Sequence, residues 1–157
     1  MNMSRRHALL TGFGVAASLA LPAGASTYRV DDTGTVTSQP VTPMRWRRLA
    51  PGRASDNTVE GSVTVALRLH LAPWLNRPAR LYMALVPTEG EQMLATWRTQ
   101  GRLLPGSVRA GGRTLVFEGT VREPVLQENI VLDLRADGRS VERAQALQFF
   151  FEIEVSP

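Results

Sequence analysis

The chain has no cysteine, no lysine and only two histidines in 157 residues. Without cysteine there is no disulfide, no thiol nucleophile and no thiolate metal site, so a domain outside the cytoplasm must be held by its core alone. His7 lies near the N-terminus, which leaves His70 as the single imidazole of everything downstream. A zinc or copper site needs three or four converging ligands, and one imidazole with scattered carboxylates is a thin supply. Any Ser-His-Asp arrangement would also have to use His70, which reads more simply as a solvent-facing strand residue beside Arg68. Neither a Gly-x-Ser-x-Gly elbow nor a P-loop nor a Gly-x-Gly-x-x-Gly turn occurs. No cofactor, no bound metal and no enzymatic activity are expected.

With lysine absent, all 18 basic residues are arginine, set against 14 acids. Setting aside Arg5 and Arg6 leaves sixteen arginines and the same fourteen acids, an excess of two. The acids are interspersed with the arginines through most of the chain. Nucleic-acid binding is not expected from such a balance.

Met1 to Ala25 has the charged, apolar, small-residue order of a secretory signal, with a natural cleavage point after Ala25. Arg5 and Arg6 precede an uncharged stretch from Ala8 to Leu21, and Pro22-Ala23-Gly24-Ala25 follows. The apolar stretch falls short of the about 20 residues that a permanent span requires, and Gly12, Gly14 and Ser18 dilute it. Ser4-Arg5-Arg6-His7-Ala8-Leu9 resembles the bacterial twin-arginine export motif, departing from it at Ala8, where Phe is usual, and at Leu10, where Lys is common. The resemblance implies passage through the twin-arginine machinery in the folded state, and a periplasmic or secreted mature protein. Such cargo often carries a cofactor inserted in the cytoplasm, or leaves bound to a partner that does.

Residues 26–43 are polar and threonine-rich, and read as an extended arm or linker with at most one edge strand. Residues 44–157 read as the folded domain. From Ser62 to Leu71 the apolar residues Val63, Val65, Leu67, Leu69 and Leu71 alternate strictly with others, which is the period of a half-buried strand. Leu147 to Val155 repeats the pattern, with Phe150, Glu152 and Glu154 on its other face. Further strands are expected at Arg80–Val86, Arg113–Val121 and Ile130–Arg135, while Met93–Arg98 fits a strand or one helical turn. Gly111-Gly112 is expected to form a two-residue hairpin turn with positive φ at both positions, and Ala136-Asp137-Gly138 a second hairpin. Seven to eight strands without an amphipathic helix predict a single antiparallel, immunoglobulin-like β-sandwich.

Three groups of residues are candidates for function. Glu152 and Glu154 lie about 6.6 Å apart along one strand face, near the lower edge of the about 6.5–9.5 Å used by inverting glycosidases; a solvated face produces the same pattern. Arg45, Arg47, Arg48 and Arg53, with Trp46 among them, fall in a stretch from Thr33 to Ala54 that contains no acid. They form either a row for carboxylate, sulfate or phosphate groups, or an edge strand protected by charge with Trp46 in the core. Phe150, facing outward, suggests a contact surface. Trp74 and Trp97 are candidates for sugar stacking.

Leu67-Arg68-Leu69, Trp74-Leu75 and Tyr82-Met83-Ala84-Leu85-Val86-Pro87 together resemble the β-sandwich domain that follows the copper domain of polyphenol oxidases, although that domain's Lys-Phe-Asp-Val signature is missing. The resemblance implies a module that shields a redox enzyme. With the export motif, it leads to the expectation of an exported, non-catalytic accessory module for a folded-exported redox enzyme, with Phe150 and the arginine row as contacts. The alternatives are a polysaccharide-binding module of the cell envelope and a carboxylate-pair hydrolase.

Overall fold

The computed structural model describes residues 24–39, 42–48, 56–87, 93–139 and 148–156. They form ten strands: β1 Ser26–Arg29, β2 Val36–Thr37, β3 Arg45–Trp46, β4 Thr58–His70, β5 Pro78–Leu85, β6 Leu94–Thr99, β7 Gly106–Arg109, β8 Arg113–Thr120, β9 Val125–Asp137 and β10 Phe149–Val155. One 3-10 turn, Ala72–Trp74, follows β4, with Pro73 supplying the fixed φ that favours it. Among the described residues no helix is long and apolar enough to cross a membrane.

The strands form two antiparallel sheets packed as a sandwich. The smaller runs β1-β10-β5-β8; the larger runs β2-β4-β9-β6-β7, with β3 also on β4. Eight strands belong to residues 44–157, and the polar arm adds β1 and β2, one to each sheet. Between them Val30 is buried at 2% exposure, with its N–H on the carbonyl of Phe151. The arm is therefore sewn along one edge of the sandwich.

The chain changes sheet at most steps; β3–β4 and β6–β7 are the consecutive strands that lie side by side in one sheet. This order refines the immunoglobulin-like expectation: it is the wiring of a jelly roll. It also corrects both hairpin expectations. The turn after β7 carries the chain out of the larger sheet into β8 of the smaller one, and only Gly111 has positive φ, at 78°. Gly112 does not need it. β9 likewise ends in the larger sheet while β10 belongs to the smaller, so Asp137-Gly138 does not close a hairpin.

The core follows from alternation. Val63, Val65, Leu67 and Leu69 of β4 face Leu81, Met83, Phe151, Ile153 and Val155 of the smaller sheet within one buried cluster. On β9, Leu126, Ile130, Leu132, Leu134 and Ala136 are buried in step with them. One residue breaks that series. Glu128 pairs in register with Leu67 and so shares the inward parity of β9. Its carboxylate accepts the backbone N–H groups of Gly101 (3.1 Å), Arg102 (2.8 Å) and Leu103 (3.1 Å), tying the loop between β6 and β7 to the sheet. A charge at an inward position is tolerated because it is hydrogen-bonded.

Candidate functional site

The outer face of the larger sheet is polar, and its register brings one group of residues into line. Arg45 of β3 pairs with Glu60 of β4, Glu60 with Arg135 of β9, Arg135 with Leu94 of β6, and Leu94 with Arg109 of β7. Directly paired residues share a face, so Arg45, Glu60, Arg135, Leu94 and Arg109 form a row across five strands. Neighbouring strands lie about 4.8 Å apart, so successive arginines of the row are separated by about 9.6 Å. Beside it stand small or polar side chains, among them Ser62, Thr64, Thr96 and Ser107, all exposed.

Next to the row, at the end of the sheet, lies a shallow cleft of about 400 Å³ lined by Arg47, Asp56, Thr58, Arg135, Asp137 and Arg139, among others. Two backbone bonds shape it: Arg47 N–H to the Thr58 carbonyl (2.9 Å) and Gly138 N–H to the Asn57 carbonyl (2.8 Å). Its charges are paired. Arg47 reaches Glu60 (3.1 Å) and Asp56 (3.6 Å), Arg135 reaches the same Glu60 oxygen (3.1 Å), and Arg139 closes on Asp137. Hydrogen bonds from Arg139, side chain first and then backbone, lower the Asp137 carboxyl to about 2. The Thr58 hydroxyl and N–H, and then Arg47, hold Asp56 below its ordinary value.

Arg45, Arg48 and Arg109 are exposed and make no ion pair with another described residue. The arginine stretch is thus divided: Arg47 is held by acids, Arg45 stands in the row with no acid of the described residues on it, and Arg53 lies outside the described residues. Trp46 is 44% exposed, so it does not occupy the core as the edge-strand alternative required. It sits at the sheet edge, on the inward side with Val59, packs against Gly138 and does not line the cleft.

The other tryptophans are not available for stacking. Trp97 is 1% exposed and donates its indole N–H to the Leu104 carbonyl (2.9 Å), and Trp74 is 9% exposed with Tyr28 against it at 5.9 Å.

The outer face of the smaller sheet is closed by arginines. Arg29 lies 4.5 Å above the Phe150 ring, so Phe150 is half-buried rather than the bare apolar contact expected. The apolar contact expected of Phe150 is thus partly covered. Arg113 stacks over Tyr82 at 4.4 Å and reaches Glu152 (3.1 Å) and Glu154 (2.7 Å). The Tyr82 hydroxyl also donates to Glu154 (3.1 Å), and Arg113 first among its neighbours lowers the Glu154 carboxyl. A general acid requires the opposite shift, so Glu154 is not set up as one. His70 is half-buried, with Nε2 3.1 Å from the Thr33 carbonyl. Among the described residues no group of three or more His, Asp or Glu is placed to hold a metal ion.

The row was not legible in the sequence. Arg109 and Arg135 carried no local signal, since only the register of β4, β9, β6 and β7 brings them beside Arg45.

No protein-family model and no curated protein matches the sequence. Among solved structures, a xylan-binding domain from CBM 22, formally x6b domain, matches over 86% of this chain and 95% of its own, at 8% identity and a TM-score of 0.25. A likeness that slight carries no weight for the ligand.

Proposed function

We propose that the chain is a non-catalytic polysaccharide-binding module that acts outside the cytoplasm and binds its ligand on the outer face of the larger sheet. The observation that supports this is the lining of the cleft, where guanidinium donors and carboxylate acceptors alternate within reach of one another. A sugar hydroxyl donates and accepts at once, so it needs both. The pairing of Arg47, Arg135 and Arg139 with acids also holds these long side chains in place before any ligand arrives, which reduces the entropy lost on binding.

Affinity electrophoresis of the purified chain through gels containing soluble polysaccharides tests this. Retardation by at least one glycan, reduced by Arg135→Ala, supports the reading; unretarded migration through neutral and acidic glycans alike overturns it. Export is part of the proposal and rests on Ser4-Arg5-Arg6 and the apolar stretch, whose residues 1–23 lie outside the described structure. Arg5→Lys with Arg6→Lys should retain the protein in the cytoplasm on cell fractionation.

A further inference from the structure

We infer that the ligand of this face is an acidic glycan, a chain of uronic-acid residues, and that it lies across the strands along Arg45, Glu60, Arg135, Leu94 and Arg109. This rests on the reading of the chain as a polysaccharide-binding module and specifies what that module takes.

Three features of the face lead there. First, the charges do not cancel. Among the described residues, Arg45, Arg47, Arg135 and Arg139 stand against Asp56, Glu60 and Asp137 at this end of the sheet, and Arg109 adds a further cation at the far end of the row. The acids are held by Arg47, Arg135 and Arg139, which leaves Arg45 and Arg109 at the two ends of the row without a carboxylate partner among the described residues. A planar guanidinium takes a carboxylate in two parallel hydrogen bonds, and these two have such sites open.

Second, the spacing is periodic. The row places arginines on alternate strands, about 9.6 Å apart, so a linear polymer bearing an acid on every sugar can meet them with alternate residues. Charge protection of edge strands accounts for Arg45 on β3 and Arg109 on β7 separately; it does not account for their alignment with Arg135 of the interior strand β9 in one register.

Third, the carboxylates of the cleft distinguish among polyanions. Asp56 and Asp137, held ionised, repel a phosphodiester backbone, which offers acceptors alone. A uronic-acid chain offers hydroxyl donors to those same oxygens and its carboxylates to the free arginines.

Calorimetric titration of the purified chain with oligogalacturonate, neutral xylo-oligosaccharide and an oligo-dT strand decides the matter. Oligogalacturonate is expected to bind best, and to weaken as salt rises because exposed charges are screened. Arg45→Ala with Arg109→Ala should lower that affinity at least about tenfold, while Arg122→Ala, at the other end of the sandwich, should not. Glu60→Gln should raise it severalfold by removing the one acid of the row, without strengthening any xylo-oligosaccharide binding; circular dichroism checks that each variant is folded. Equal binding of the two oligosaccharides, or an unchanged affinity in the double variant, overturns the inference and leaves the module reading in place. Tighter binding of oligo-dT overturns it in favour of nucleic acid. Absence of binding to any glycan removes the module reading as well.

Discussion

The indole of Trp46 occupies the space that a side chain on residue 138 would need: a Cβ on Gly138 would lie 2.4 Å from Trp46 Cη2 and 2.8 Å from a Val59 methyl. Gly138 has no positive φ, so glycine is required there by close approach and not by backbone conformation.

Gly138→Ala is therefore expected to push Trp46 outward. Because the ring is already 44% exposed and can swing away, the cost should lie near the low end of the about 1–3 kcal/mol for overpacking. With Trp74 and Trp97 buried, a red shift of the tryptophan emission would report the movement. An unshifted spectrum would show that the ring and Gly138 are not in contact.

Glu128 is expected to matter more than any exposed acid. Glu128→Ala leaves the three N–H groups of Gly101, Arg102 and Leu103 without their acceptor and should destabilise the domain by about 1–3 kcal/mol. Urea unfolding measures the loss, and hydrogen exchange at residues 101–103 should quicken more than in the strands around them.

Acid should destabilise the sandwich late. Asp31, Asp56, Asp137 and Glu154 all have folded-state values below the ordinary ones, through hydrogen bonds led by Thr33, Thr58, Arg139 and Arg113 respectively. A depressed carboxyl contributes stability that is fully present above its unfolded value and is lost as pH falls through its folded value. For Asp137 that window runs from 3.8 down to about 2. Thermal unfolding midpoints should accordingly be insensitive to these groups above pH 5 and fall below pH 4. Arg113→Ala should return the Glu154 carboxyl upward, which a side-chain NMR titration resolves.

Val30 fastens the arm. Val30→Ala is expected to cost about 2 kcal/mol from the cavity and lost contacts, and limited proteolysis should then cut between residues 24 and 39 earlier than elsewhere. Cleavage elsewhere first would mean that β1 and β2 hold without it.

Where one strand face is buried on a continuous core, the sequence was readable. The alternation of β4 from Val63 to Leu69 and of β10 from Phe149 to Val155 is forced by period-two geometry, and both strands lie where it places them. β9 was read only from Ile130, because Glu128 interrupts its inward series; its acceptors' partners lie 25 to 27 residues away and leave no local trace. Gly111 signals a reversal of the chain, but a turn does not record which sheet the next strand joins. Trp46 has inward parity and was legible as such. Its exposure depends on what covers the edge, which is set by packing between sheets and not by its neighbours in sequence. The same holds for the row from Arg45 to Arg109, which exists only as register.

The position of β10 bears on when the domain can form at all. The last strand of the chain lies between β5 and the first strand, and Ser26 pairs with Val155. Until β10 docks, β1 has no partner in the smaller sheet and β5 lacks one of its two neighbours. Joining Ser26 to Val155 closes a loop of nearly the whole described chain, and most other pairings are also distant in sequence, which makes formation of the sandwich slow.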